Sequence, residues 1–433
     1  MKRGFYTIMS AQFFSSLADN ALFVAAVELL RTGGAPEWQR AALVPMFALF
    51  YVVLAPFVGA FADALPKGKV MFVSNAIKVV GCLLMLTGLH PLLAYAVVGL
   101  GAAAYSPAKY GILTELLPPS QLVKANGWIE GLTIASIILG VLLGGQLVGA
   151  TVSAHLLAFD LPGVELVDNA AESAILSLVL VYALAAWFNT RIPHTGVEMR
   201  PLRHDPARSV LANALELLPD FWRCNRRLWN DRLGQISLAT TTLFWGVSGN
   251  LRYIVLAWSA AALGYSTTQA SALVGVVAIG TAVGAVVASV YMRLDMATRV
   301  MPLGIAMGLL VILMNFIDNV WLAVPFLIAL GGLGGFLVVP MNALLQHRGH
   351  NLMGAGRSIA VQNFNEQACI LGLGAFYSLS TLLGLSAFGA ITAFGVVVAG
   401  AMWLIQLWHV HNCRHHREEL EHLLQIARQD THH

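Results

Sequence analysis

"AQFFSSLADNALFVAAVELL", residues 11–30, is a membrane-length apolar run with an aspartate near its middle. Crossing a bilayer takes about 20 mostly apolar residues as helix. Ahead of it stands "MKRGFYTIMS", residues 1–10, with no short apolar core closed by a small-residue cleavage site. The stretch therefore reads as a first span, residues 5–30, and not as a removed leader. A charge held that deep in hydrocarbon faces a cavity or a partner. Asp19 thus raises the question of fold and the question of function together.

The rest of the chain agrees with a membrane reading. Of 433 residues, 58% are hydrophobic and 11% are charged, with mean hydropathy +0.73. Soluble domains carry about 25% charged residues, so the apolar excess faces lipid. Twelve spans are expected, at 5–30, 40–62, 70–88, 92–113, 125–149, 169–190, 233–260, 268–292, 300–317, 320–345, 358–380 and 387–409. Of the 25 Lys and Arg, all but Arg31, Arg40, Lys78, Lys109 and Arg252 fall on one side of that layout. The positive-inside rule then puts both termini and the long connection in the cytoplasm. The formal charge of +3 comes without a block of like charge and gives no reason to expect a nucleic-acid partner. Four cysteines without motif spacing suggest neither a disulfide framework nor a zinc site. No Gly-rich phosphate loop, nucleophile elbow or metal-protease motif appears, so no cofactor and no enzymatic activity is expected.

The longest connection follows the sixth span and divides the chain into a six-helix half at 1–190, a linker at 191–232, a second half at 233–409 and a tail at 410–433. In the linker, "ARSVLANALELLPDFWRCNRRLW" mixes apolar residues, tryptophans and arginines; it reads equally as a helix on the inner membrane surface or as a solvated linker helix. The histidine-rich tail reads as a solvated helix with Leu420, Leu423 and Leu424 on one side. The halves carry a weak repeat. Asn20 in the first span aligns with Asn250 in the seventh, Pro107 and Lys109 with Pro340 and Asn342, and Glu130 with Glu366. Parallel six-helix repeats are a transporter architecture.

Charges inside spans nominate the site. Asp19 shares its helix face with Ser15 and Ser16, beside Asn20. Arg252 lies within the seventh span, and its guanidinium suits phosphate or carboxylate. With the halves facing each other, Asp19 and Arg252 would pair across one cavity or take opposite ends of a zwitterion. In "GAAAYSPAKYGIL", residues 101–113, Lys109 stands one turn beyond Tyr105, and Pro107 frees a backbone carbonyl. Snorkelling is the bland alternative for Lys109. Glu130, and Glu366 with Gln362 and Asn363, are read as amine acceptors or an inner gate, with structural pairing equally open. Lys78, behind Ser74 and Asn75, reads as packing or snorkelling. In "GAFADALPKGK", residues 59–69, Gly59, Asp63, Lys67 and Lys69 read as a salt-bridge latch that favours one conformation.

Twelve spans in two parallel halves, with that loop, resemble the major facilitator superfamily. The family's loop is Gly-x-x-x-Asp-x-x-Gly followed by basic residues. Here Pro66 stands where the second glycine is expected, and Gly68 comes two positions late. "AQFFSSLADNALF", "APFVGAFAD", "GAAAYSPAKYGIL" and "LVKANG" resemble the lysophospholipid transporters of Gram-negative inner membranes, chiefly over residues 8–147. That resemblance implies movement of lysophosphatidylethanolamine and lysophosphatidylglycerol from the outer to the inner leaflet, by alternating access. It also implies re-acylation by a cytoplasmic acyltransferase/acyl-carrier-protein synthetase. The family's intramembrane aspartate falls on Asp19 and its span-4 lysine on Lys109; Arg252 and Glu366 are carried over by layout. The residue chemistry fits such a substrate: Lys109 and Arg252 for the phosphate, and Asp19 with Glu130 or Glu366 for the amine. The competing readings are a proton-coupled exporter of drugs or small polar solutes, with one acid as proton carrier, and a non-transporting scaffold.

Overall fold

In hydrocarbon every backbone N–H and C=O must be satisfied within the segment, so the apolar runs have one solution, the helix. In the computed structural model all regular structure among the described residues is helical. The described residues are 3–116, 119–159, 167–199, 205–353 and 355–430; the side chains of 3, 110, 114, 119–127, 130, 355, 356 and 430 lie outside the description.

The chain runs through α1 (Arg3–Thr32), α2 (Glu37–Val53), α3 (Ala55–Ala64), α4 (Lys67–Leu86), α5 (Pro91–Leu116), α6 (Pro119–Leu147), α7 (Ala150–Leu157) and α8 (Ala170–Thr190). Two short helices follow, α9 (Val210–Leu215) and α10 (Leu217–Asn230). Then come α11 (Arg232–Leu263), α12 (Thr267–Tyr291), α13 (Pro302–Leu313) between 3-10 turns, α14 (Val320–Met353), α15 (Ala355–Leu382), α16 (Ala387–His415) and α17 (Arg417–Asp430). Eight of these helices are long and apolar enough to cross a membrane, ten spans if α2–α3 and α6–α7 each count as one. α11 and α15, of 32 and 28 residues, have the length but hold the polar side chains described below. With them the expected twelve are accounted for.

Two expected spans are not straight. α2 and α3 meet at a 65° bend, and so do α6 and α7. At the first, Leu54 leaves helical geometry and α3 opens at Ala55 with Pro56 as its second residue; proline supplies no N–H to continue the ladder. At the second, Gly149 is extended and starts α7 afresh.

The chain forms two compact units, Met1–Leu218 with Tyr265–Gly275, and Pro219–Gly264 with Val276–His433. The first closes around Phe5, Ile8, Val70, Tyr105, Ile112 and Ile129. Glycines let its helices touch. A Cβ on Gly140 or Gly144 of α6 would strike the Leu17 or Ala21 carbonyl of α1. In the second unit the same four-residue spacing recurs, Gly280 with Gly284 on α12 and Gly331 with Gly335 on α14, each facing a carbonyl of the opposing helix. Small residues at that spacing are what bring membrane helices into backbone contact.

Two features of the ends differ from expectation. α10 does not float as a solvated linker: it buries Phe221, Cys224, Asn225 and Leu228. The tail helix α17 is docked, with Leu420, Leu423 and Ala427 buried and Arg428 paired to Asp295 at 3.0 Å.

Candidate substrate site

The first unit gathers a polar cluster from α1, α4, α5 and α8. Lys78 Nζ donates to Asp19 Oδ2 at 2.8 Å and to Ser15 Oγ at 2.9 Å. Tyr182 donates its hydroxyl to the other carboxylate oxygen, Asp19 Oδ1, at 2.6 Å. Ser15 donates in turn to Asn75 Oδ1 at 2.7 Å, and the Asn75 amide meets that of Asn189 at 2.6 Å. The ammonium also lies over the rings of Tyr105 and Tyr182, 5.2 and 5.6 Å from their centroids, which face it with their negative π surfaces.

Local geometry explains the assembly. Ser15 and Asp19 are one turn apart on α1, and Asn75 and Lys78 are one turn apart on α4, so two pairs meet as a square. Room for the lysine comes from α5: a Cβ on Gly101 would sit 2.7 Å from Lys78 Cγ. Gly101 and Tyr105 therefore build the walls of the Lys78 pocket. The pair is asymmetric. The Lys78 side chain is 2% exposed and that of Asp19 is 21%, so the carboxylate is the more exposed member and the ammonium is the buried one.

This changes the standing of Lys78. It neither snorkels nor merely packs; it is the ion-pair partner of Asp19, within the same unit. The signal was its position, eleven residues into a 20-residue helix and so about 16 Å from that end, farther than a lysine stem reaches. Tyr182 carried no such signal, being one tyrosine in an apolar span.

The other expected residues are placed as follows. Asn20 Nδ2 donates to the Ser16 carbonyl at 2.8 Å, and its counterpart Asn250 donates to the Gly246 carbonyl at 2.8 Å and to Ile370 O at 3.1 Å. Lys109 and Arg252 are half-buried on α5 and α11, and both take part in interactions. The side chain of Glu130 lies outside the described residues. In the second unit Glu366 is buried and accepts from Gln362 Nε2 at 2.8 Å, while the same nitrogen reaches Asn342 Oδ1 at 2.5 Å. Asn363 is half-buried one position on. Asn365, not singled out in the sequence, does more: it donates to Asn225 Oδ1 at 2.8 Å and accepts from Trp229 Nε1 at 3.2 Å.

The latch residues are brought together in part. Lys67, buried, donates to Asp63 Oδ1 and to Ala62 O, each at 2.8 Å, and lies 3.5 Å from Glu115, a partner the sequence did not flag. Glu115 also accepts from Thr195 at 2.7 Å, so the segment leaving α8 is tied into the latch. Lys69 is exposed. Gly59 has open space where a Cβ would stand, whereas one on Gly68 would press on the Asn189 carbonyl and Ile192 at 3.2 Å. The glycine this loop needs is Gly68; the close approach to the end of α8 demands it, and Gly59 meets no such neighbour. Beside the latch lies a cavity of about 670 Å³ lined by Asp63, Lys67, Lys69, Glu115, His194 and Glu198 among others.

Residues 8–373 match the family model of the Major Facilitator Superfamily. The chain belongs to the major facilitator superfamily. Within that superfamily it is 40% identical over 390 residues to the lysophospholipid transporter LplT of Yersinia pestis (strain Pestoides F), covering 89% of this chain and 88% of that one. The protein of the same name from Yersinia pseudotuberculosis serotype O:3 (strain YPIII) matches equally. Two solved structures share the superfamily fold at low identity. The nucleoside transporter NupG aligns with TM-score 0.65 and 13% identity over 95% of this chain and 99% of its own. A bacterial homolog of the human lysosomal transporter Spinster aligns with TM-score 0.59 and 16% identity over 99% and 98%.

Proposed function

We propose that this chain is a lysophospholipid transporter, taking lysophosphatidylethanolamine and lysophosphatidylglycerol from the outer to the inner leaflet of a bacterial inner membrane by alternating access. The observation that carries the reading is the 40% identity, over 89% of the chain, to transporters named for that substrate. The geometry supports it. A lysophospholipid head joins a phosphate anion to an ammonium or a glycerol, and the first unit holds a matched ion pair whose carboxylate is the more exposed member.

The chemistry is an exchange of ion pairs. Asp19 accepts the head-group ammonium as it lets go of Lys78, and Lys78 turns to the phosphate. With lysophosphatidylethanolamine neither charge is left alone in the membrane, where an isolated one costs about 2.5–3.5 kcal/mol even on insertion scales. Lysophosphatidylglycerol brings no ammonium, so Asp19 then keeps Lys78 and takes hydrogen bonds from the glycerol hydroxyls. Tyr182 holds the Asp19 carboxylate in place during the exchange. Lys109 and Arg252 are assigned as further phosphate partners. Asn20, Tyr105, Glu130, Asn363 and Glu366 are assigned to the head-group path, and Asp63, Lys67 and Lys69 to the latch. The acyl chain stays against apolar helix faces, sparing about 0.8 kcal/mol per CH₂ that exposure to water would cost.

The same reading places both termini and the linker in the cytoplasm, supported by the Lys and Arg distribution, with halves at 1–190 and 233–409. It couples the transporter to a cytoplasmic acyltransferase that consumes the delivered lysolipid. The test is leaflet transfer of labelled lysophosphatidylethanolamine in liposomes containing the purified protein, with and without a pH gradient. Gradient-independent transfer that Asp19→Asn lowers about 10- to 100-fold is the expected result. A pH-driven flux of another solute, without lysolipid transfer, would replace the reading with a proton-coupled exporter.

A further inference from the structure

α10 has two faces, one packed inward and one largely open. Phe221, Cys224, Asn225 and Leu228 point inward. They seat the helix on α15, through the Phe221–Phe364 ring contact at 5.2 Å and the Asn225–Asn365 bond at 2.8 Å. The outward face carries Arg223, Arg226 and Arg227, all exposed, with Trp222 at its border, exposed on one side while its ring meets Phe364 of α15 edge-on at 5.5 Å. Trp222 is 51% exposed, and the Arg223 side chain is 76% exposed, with only a loose contact to Asp220 at 3.9 Å. α10 stops at Asn230 and the 32-residue α11 starts at Arg232. The helix therefore sits where a span leaves the membrane, at the end where the chain's basic residues concentrate.

A tryptophan among three exposed guanidiniums at that depth matches one surface. Indole rings settle at the head-group level, and guanidinium binds phosphate oxygens in a fork. We propose that the outer face of α10 is a docking surface for anionic phospholipid head groups of the adjoining leaflet. The charge is complementary, the aromatic residue stands beside the basic ones, and the inward face already fixes the helix to α15. Because α15 also carries Gln362 and Glu366, lipid bound at α10 is mechanically linked to that polar network. Each basic residue near an anionic surface raises affinity about fivefold at low ionic strength, so three acting together select anionic over neutral lipid.

The experiment uses the full-length protein in nanodiscs of phosphatidylcholine. A small fixed fraction of lipid carries brominated chains, as phosphatidylglycerol in one set and as phosphatidylcholine in the other. The Trp222 signal is the difference between the native protein and Trp222→Phe. Brominated phosphatidylglycerol should quench Trp222 at least about fivefold more strongly than brominated phosphatidylcholine. Molar salt should erase the difference in the native protein, and R223Q/R226Q/R227Q should erase it at low salt. Equal quenching by the two lipids in the native protein, or a preference that survives both salt and the triple variant, would overturn the proposal. Absence of quenching by either lipid would also overturn it and favour a protein partner for this face.

Discussion

Each unit holds a buried acid–base pair, and the two are built differently. In the second unit Arg348 grips Asp231 with both prongs, Nε to Oδ2 at 3.0 Å and Nη2 to Oδ1 at 2.7 Å. Both side chains are shut away, 6% and 9% exposed. Asp231 is also the N-cap of α11, accepting from the Gly234 amide at 2.8 Å. In the first unit Lys78 holds Asp19 through one oxygen only, and the carboxylate is the more exposed member. A closed bidentate pair at a helix end fastens chain to chain. A single-point pair with one more exposed member is the arrangement that the proposed exchange of partners requires. Burial of charge alone does not separate these roles; the count of bonds and the exposure of each member do.

The sharpest way to break the contrast is to unpair Arg348. Removing one member of a buried pair costs about 3–5 kcal/mol, so Arg348→Ala should give the largest loss of thermal stability in detergent. D231N/R348M should recover much of it, because Asn still caps α11, and lysolipid transfer should recover alongside. The same exchange in the first unit should behave otherwise. Asp19→Asn should lower transfer about 10- to 100-fold, the equivalent of losing a hydrogen bond to a charged group. D19N/K78M should restore thermal stability without restoring transfer. If transfer returned with stability, the Asp19 pair would be a fastening like the other.

Smaller effects sharpen the picture. Gly101→Ala strikes the Ser74 carbonyl of α4 as well as the Lys78 stem and should cost about 1–3 kcal/mol by overpacking, with transfer falling in step. Tyr182→Phe removes one bond to Asp19 and should cost about 1 kcal/mol, read as a modest drop in melting temperature and slower transfer. Gly59→Ala, facing open space, should stay within about 0.5 kcal/mol of the native protein in the same melts.

Most of the fold was legible because the bilayer demands it: length, apolarity and the absence of alternatives to helix mark the spans. The bends at Leu54 and Gly149 were missed, although Pro56 and Gly149 were visible, because window hydropathy averages over them. Asp19 was legible as a lone charge in a span. Its partner was not, since the bond joins residues on α1 and α4 and single-helix geometry sees only neighbours at i±3 and i±4. The motif "GAAAYSPAKYGIL" drew attention to its own lysine, Lys109. The structure shows its glycines serving lysines of another helix: Gly101 makes room for Lys78, and a Cβ on Gly111 would stand 3.0 Å from Lys67 Cε.

The glycine contacts also rule on where oil can pass. At Gly140 and Gly144 of α6 against α1, and at the glycines of α12 and α14, the helix comes within reach of the opposing helix's backbone carbonyls. A hydrocarbon chain is wider than such a gap, and prising it open would forfeit contacts along the whole seam. These two joints are the costly ones to open. Any slot through which a fatty chain trails while its head crosses must open along helices held apart by larger side chains.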